Sequence, residues 1–125
     1  TYGHLPWDGG SQRLPRIVGL PWATEMLLTG RIIDTIEASR INLIHESVPK
    51  DGLINRSSEI AADMASLAPI ATRYVKEVIS KGMDMTMDQG LRLEMDLNLL
   101  LQTTEDRSEG IASFLERRDP KYRGV

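Results

Sequence analysis

The sequence predicts an α/β fold in which helices predominate. Three observations carry that expectation. Leu5 to Gly19 reads as an extended approach, a tight glycine turn and a short helix. Leu43 to Val48 alternates well enough for a strand. From Leu53 onward, apolar residues recur at helical spacing through three or more long segments.

In the first stretch, Pro6 favours an extended Leu5, because the proline ring clashes with a helical predecessor. Gly9-Gly10 lets the backbone take positive φ, or approach another group where a Cβ would not fit. A helix then starts at Ser11 and stops at Gly19. Residues 20–30 form a second helix, with Pro21 in its first turn where the missing N–H costs nothing. Its face is Trp22, Ala23, Met26 and Leu27, and Gly30 ends it. Arg31 to Ile33 is extended, and Thr35 to Arg40 makes one or two helical turns. Asn42 suits a left-handed helix cap. The strand at 43–48 ends at Pro49, and Lys50-Asp51-Gly52 turns the chain.

Beyond this point the pattern is helical. Leu53, Ser57, Ile60, Ala61, Met64, Leu67 and Ala68 share one face, and Pro69 closes that helix or opens the next. Ile70 to Lys81 points Ala71, Tyr74, Val75, Val78 and Ile79 inward. Thr86 and Gln89 have capping-box spacing before a helix to about Gln102. That helix is apolar on two flanks, Met87, Leu91, Met95 and Leu99 on one and Leu93, Leu97, Leu100 and Leu101 on the other. A monomer needs one stripe, so the second flank marks a subunit interface or a surface for further parts of the domain. Thr104 caps a last helix to Leu115, and Arg117 to Val125 is a polar tail.

Composition bounds the function. A chain of 125 residues is at most one domain, and 41% hydrophobic content is ordinary for a globular one. A formal charge of −3 argues against nucleic acid or an anionic membrane as partner. With no cysteine there is no disulfide framework and no thiolate zinc site. No apolar run reaches the ~18 residues needed to cross a bilayer. The first residues lack the charged-then-apolar pattern of a signal peptide. Six methionines suit irregular core gaps or an adaptable subunit contact.

The segment Gly9-Gly10-Ser11-Gln12-Arg13-Leu14, with Arg16 and Val18-Gly19, resembles the glycine-turn segment of the crotonase family, the enoyl-CoA hydratases and isomerases. Further matches follow at Ala23 to Ile33, Glu37-Ala38, Asn42 to Ile44, Val48-Pro49, Lys76-Glu77, Thr104 to Ile111 and Phe114 to Arg118. The resemblance covers nearly the whole chain but only the C-terminal portion of a crotonase domain. It implies the last turn of a crotonase-like ββα spiral core over residues 1–52, then a helical oligomerisation and CoA-contacting region over 53–125. A family member binds an acyl-CoA thioester and holds its oxygen between two backbone N–H groups, which stabilises the enolate. Hydratases add two glutamates for water and proton. The resemblance places those donors and glutamates ahead of Pro6, the second glutamate just before Thr1, so the fragment alone is expected to be inactive. It also implies a homo-oligomer, a trimer or dimer of trimers, and no cofactor apart from the coenzyme A of the substrate. The expected location is the cytoplasm, or an organelle matrix if a targeting segment preceded this chain.

Asp8 departs from the hydratase pattern, which has a small residue there. Dienoyl-CoA isomerases and a CoA dehalogenase in the family carry a working aspartate in this turn, aligned with Trp7. Two roles stay open for Asp8: capping the following helix, or acid/base or nucleophilic work on the acyl group. In the second, Pro6 and Trp7 wall the acyl pocket and Gly9 and Gly10 let the backbone approach the substrate. Phe114 and Arg117 match positions where relatives place a ring and a cation near the CoA adenine and phosphates. Arg118 and Lys121 stand close enough in sequence to serve the same phosphates, and a core Phe with a solvated Arg is the plainer account. His4 and His45 lack metal or triad spacing, Asp84 and Asp88 read as cap and dipole partners, and Glu94 is expected to be partly buried in an interfacial ion pair. The reading outside enzymology is an inactive helical module that assembles through residues 87–102.

Overall fold

The computed structural model describes residues 3–125. Its elements are α1 (Gly10–Val18), α2 (Leu20–Thr29), α3 (Thr35–Arg40), a single 3-10 turn (Lys50–Gly52), α4 (Leu53–Ala65), α5 (Pro69–Gly82), α6 (Met87–Leu101) and α7 (Glu105–Glu116). They fall into two compact units, Thr1–Leu53 and Ile54–Val125. No described helix is long and apolar enough to cross a membrane.

In the first unit α1 and α2 pack together. Val18, Ala23 and Ile41 are buried at their junction, with Leu14, Trp22, Met26, Ile33 and Leu43 against them. Asp34 caps α3 by accepting the Glu37 N–H at 2.8 Å. The link from α2 to α3 is held by charge. Arg31 reaches Glu25 at 2.9 Å and both oxygens of Glu37 at 2.6 Å, and Arg40 reaches Glu37 at 3.2 Å. The guanidinium carbons of Arg31 and Arg40 lie 5.7 and 5.4 Å from the centre of the Trp22 ring, within cation–π range.

Asn42 takes the left-handed conformation expected of it, φ 60°. The strand expected at 43–48 is not formed, and among the described residues there is no β-strand. A strand needs a neighbour to complete its ladder. Here the Leu43 and Ile44 amides turn back instead and donate to the Ala38 carbonyl, at 2.9 and 3.4 Å.

In the second unit α5 and α6 pair. The Thr86–Gln89 capping box forms in both directions, Thr86 N–H to Gln89 Oε1 at 3.1 Å and Gln89 N–H to Thr86 Oγ1 at 3.4 Å. Leu93, Leu97 and Leu101 of α6 are half-buried, whereas Met87, Leu91, Met95 and Leu99 are all exposed, Met87 to 77%. The two flanks thus differ, although Leu100 of the second flank is itself 52% exposed: the second is partly covered within this unit and the first is not. Val75 and Ile79, expected to face inward, are exposed, and so is Glu94, expected to be partly buried. They sit along one groove beside Tyr74, Val78 and Leu97, where the α5–α6 pair is open to solvent. Of the face expected along α4 and just beyond it, Leu53, Met64 and Leu67 are each more than half exposed, whereas Ile60 is half-buried.

Candidate functional site

The glycine turn is built from Trp7 to Gly10. The Gly10 N–H donates to the Trp7 carbonyl at 3.1 Å, and the two central residues both have positive φ, Asp8 58° and Gly9 79°. Positive φ at both centres is the signature of a type I′ turn, which glycine adopts freely and aspartate tolerates better than most residues. A Cβ on Gly10 would stand 3.0 Å from Pro6 Cβ, so a side chain there would press on the Pro6 ring. The Gly9 carbonyl then accepts from Gln12 and Arg13 at 2.9 and 2.8 Å and starts α1.

Asp8 is not the cap of α1. The residue at the cap position is Gly9, and no side chain caps that end. With both turn residues left-handed, the chain enters the helix through backbone contacts, and the Asp8 carboxylate is exposed to solvent. Pro6 is exposed, and Trp7 is 79% exposed with its ring tilted against His4 at a centroid distance of 6.3 Å. The pocket that Pro6 and Trp7 were expected to wall is therefore not closed by residues of this unit.

The second candidate group lies at the end of α7. Phe114 is 82% exposed on its last turn. The helix ends in a Schellman arrangement, with the Arg118 N–H donating to the Ser113 carbonyl at 3.1 Å and the Arg117 N–H to the Phe114 carbonyl at 3.3 Å. Arg117 occupies its left-handed position at φ 52°, where glycine is usual. An arginine there costs backbone strain that glycine avoids.

The polar tail that follows is tied down by hydrogen bonds. It runs back along α7. Asp106, 4% exposed, accepts the N–H groups of Arg123 and Gly124 at 2.7 and 2.8 Å. Glu109 accepts two bonds from Arg118, at 2.6 and 2.9 Å, and the Lys121 N–H at 2.7 Å. These bonds, the Arg118 pair foremost, hold the Glu109 carboxyl down at about 2. At the far end the Val125 carbonyl accepts from Glu105 and Asp106 at 2.9 and 3.4 Å. Between helix and returning chain lies an open cavity of about 610 Å³, lined by Asp106, Glu109, Ala112, Arg118, Lys121 and Arg123 among others. Arg118 is therefore committed to Glu109 and to Glu116, at 2.6 Å, while Arg117 projects from the reversal. Asp106 and Glu109 fall in the matched stretch Thr104 to Ile111, but no individual role is legible there, because their bonds to backbone N–H groups leave no trace in residue types.

The glycine turn belongs to the first unit and Phe114 and Arg117 to the second. The turn offers a lone carboxylate among exposed apolar residues. The α7 end offers a ring and a cation suited to a purine and a phosphate.

The model of the enoyl-CoA hydratase/isomerase family matches residues 1–125, and the chain belongs to that family. A probable enoyl-CoA hydratase of Mycobacterium bovis is 38% identical over 120 residues, which is 96% of this chain and 47% of that protein. The 2,3-dehydroadipyl-CoA hydratase of Escherichia coli is 36% identical over 124 residues, 99% of this chain and 49% of that protein. Among solved structures, an enoyl-CoA hydratase from Bacillus anthracis superposes with a TM-score of 0.93 at 40% identity, covering 98% of this chain and 48% of that one. The chain thus spans about half the length of the curated relatives it matches.

Proposed function

We propose that this chain serves an acyl-CoA-processing enzyme of the enoyl-CoA hydratase/isomerase type. The observation that carries the reading is the family match over every residue, 1–125. Within that enzyme the second unit meets the nucleotide end of coenzyme A, with Phe114 against the adenine and Arg117 on the phosphates. The first unit meets the acyl end, with Pro6 and Trp7 as apolar walls and the Gly9-Gly10 backbone in close approach. The oxyanion donors and the acid/base glutamates lie outside these residues. Coenzyme A enters as part of the substrate and no separate cofactor is used. The enzyme is a homotrimer or a dimer of trimers, in the cytoplasm or an organelle matrix, and the exposed Met87–Leu99 flank of α6 supports the assembly.

The test pairs intact mass with turnover of a short 2-enoyl-CoA, followed by loss of the enoyl thioester absorbance. The expected outcome is no turnover by a species of 14.0 kDa alone, and turnover once a longer species carrying the missing groups is present. Hydration by the 14.0 kDa species would refute the division of groups stated here. No hydration or isomerisation by any species would refute the enzyme reading and leave the assembly module, which the uncovered α6 flank favours.

A second reading concerns the reaction. Asp8 presents an exposed carboxylate from a left-handed backbone position and does not cap α1. Strained positions of this kind cluster at working sites. On that reading Asp8 is the acid/base or nucleophilic group of a dienoyl-CoA isomerase or a ring-CoA hydrolase.

A further inference from the structure

Arg117 sits in the left-handed position of a Schellman turn, where glycine is the favoured residue. The chain that follows this turn is held by anchors. Two carboxylates of α7 supply them. Asp106 is buried and accepts the Arg123 and Gly124 N–H groups, 17 and 18 residues away in sequence. Glu109, one helical turn on, accepts the Lys121 N–H and both terminal nitrogens of Arg118. The tail also runs close to its surroundings: a Cβ on Gly110 would lie 3.4 Å from the Tyr122 hydroxyl, and a Cβ on Gly124 would lie equally close to the Pro69 ring.

The consequence is a sorting of cations. Glu109 and Glu116 neutralise Arg118 and keep it turned to the helix. Arg117 is left at the apex, three residues beyond the exposed Phe114 ring. Released from its anchors, the segment would lose the turn that separates these neighbouring arginines.

We propose that Asp106 and Glu109 are positioning residues, which latch residues 117–125 along α7 and so fix Phe114 and Arg117 for the purine and phosphate end of coenzyme A. This rests on the reading of Phe114 and Arg117 given above. Neither carboxylate touches the ligand.

The experiment titrates the full chain with coenzyme A and with pantetheine, which lacks the nucleotide, by calorimetry, and follows amide exchange at Arg123 and Gly124. Asp106→Ala should speed exchange at both amides and weaken coenzyme A by roughly tenfold, the scale of one lost charge-assisted hydrogen bond. Pantetheine affinity should hold. Asp106→Asn keeps one acceptor oxygen and should fall between; it decides the matter if the alanine variant does not fold. Free amides with unchanged coenzyme A affinity would overturn the latch, and so would equal weakening of both ligands, which marks a general structural role. The double variant Phe114→Ala with Arg117→Ala separates the premise. If it binds coenzyme A like the parent, the premise fails and the latch with it. If it weakens coenzyme A while Asp106→Ala does not, only the latch fails.

Discussion

The close approach at the glycine turn makes Gly10→Ala a demanding test of how the turn is held. The new Cβ would lie 3.0 Å from Pro6 Cβ and 3.7 Å from its Cγ. Carbon atoms prefer about 3.5–4.0 Å, so one wall must retreat by roughly half an ångström. Pro6 cannot rotate away as a flexible side chain would, because its ring is fused to the backbone. Overpacking of this kind costs about 1–3 kcal/mol. Against it stands the lower backbone entropy of alanine in the unfolded chain, about 0.5–1 kcal/mol at a position alanine fits. The net expectation is a loss of about 1 kcal/mol in the first unit, with the Trp7–Gly9 turn displaced. Gly90→Ala provides the matched control. Gly90 lies inside α6, and an added Cβ would meet only the Gly82 backbone at ordinary contact, 3.9 Å. That substitution should stabilise by about 0.5–1 kcal/mol through helix propensity. Urea unfolding of both variants, followed by signals from each unit, measures the two shifts in midpoint. A gain from Gly10→Ala as large as that from Gly90→Ala would mean that Pro6 yields freely. The turn would then owe its form to Asp8 and Gly9 and not to a bare Gly10.

Three further outcomes follow from the same geometry. Thr86→Ala removes one half of an observed capping box and should destabilise α6 by about 1 kcal/mol, read as a lower urea midpoint. Glu109 has a carboxyl lowered to about 2, chiefly by Arg118, from 4.5 when free. Its contribution is therefore complete above about 4.5 and is lost as pH falls through about 2; the parent and Glu109→Gln should converge in stability at the acid end and differ above it. Convergence at neutral pH would refute that. Asp8→Asn keeps the turn, because asparagine also tolerates left-handed backbone, and should shift the urea midpoint by less than about 0.5 kcal/mol equivalent. Full turnover by the Asp8→Asn form of the complete enzyme would remove Asp8 from the chemistry.

The sequence made local signals legible and long-range ones invisible. The Thr86–Gln89 box, the left-handed Asn42 and the ends of α1 and α2 follow from neighbours within four residues, and the structure has each of them. The segment 43–48 failed for a different reason. Alternation reports a strand only where a partner strand exists, and here the free amides of Leu43 and Ile44 turned to α3. Asp8 failed as a cap because its left-handed φ belongs to the turn, which delivers Gly9 to the cap position. The latch of residues 117–125 joins positions 12 to 18 apart, through backbone N–H groups that every residue type except proline carries.

The helix α6 shows how far a pattern reaches before structure must finish it. Two apolar flanks said that one core would not cover this helix, and in the second unit α5 meets only one of them. Across the described chain, the buried apolar residues are Val18, Ala23, Ala38 and Ile41, while Leu28, Ile36, Met87 and Leu115 each stand more than 70% exposed. Burying apolar area is the main favourable term in folding, at about 25 cal/mol per Å². A surface this apolar is therefore a set of contacts awaiting their other side. The relatives this chain matches are about twice as long, and the exposed flank of α6 is apolar surface that the pairing with α5 leaves open.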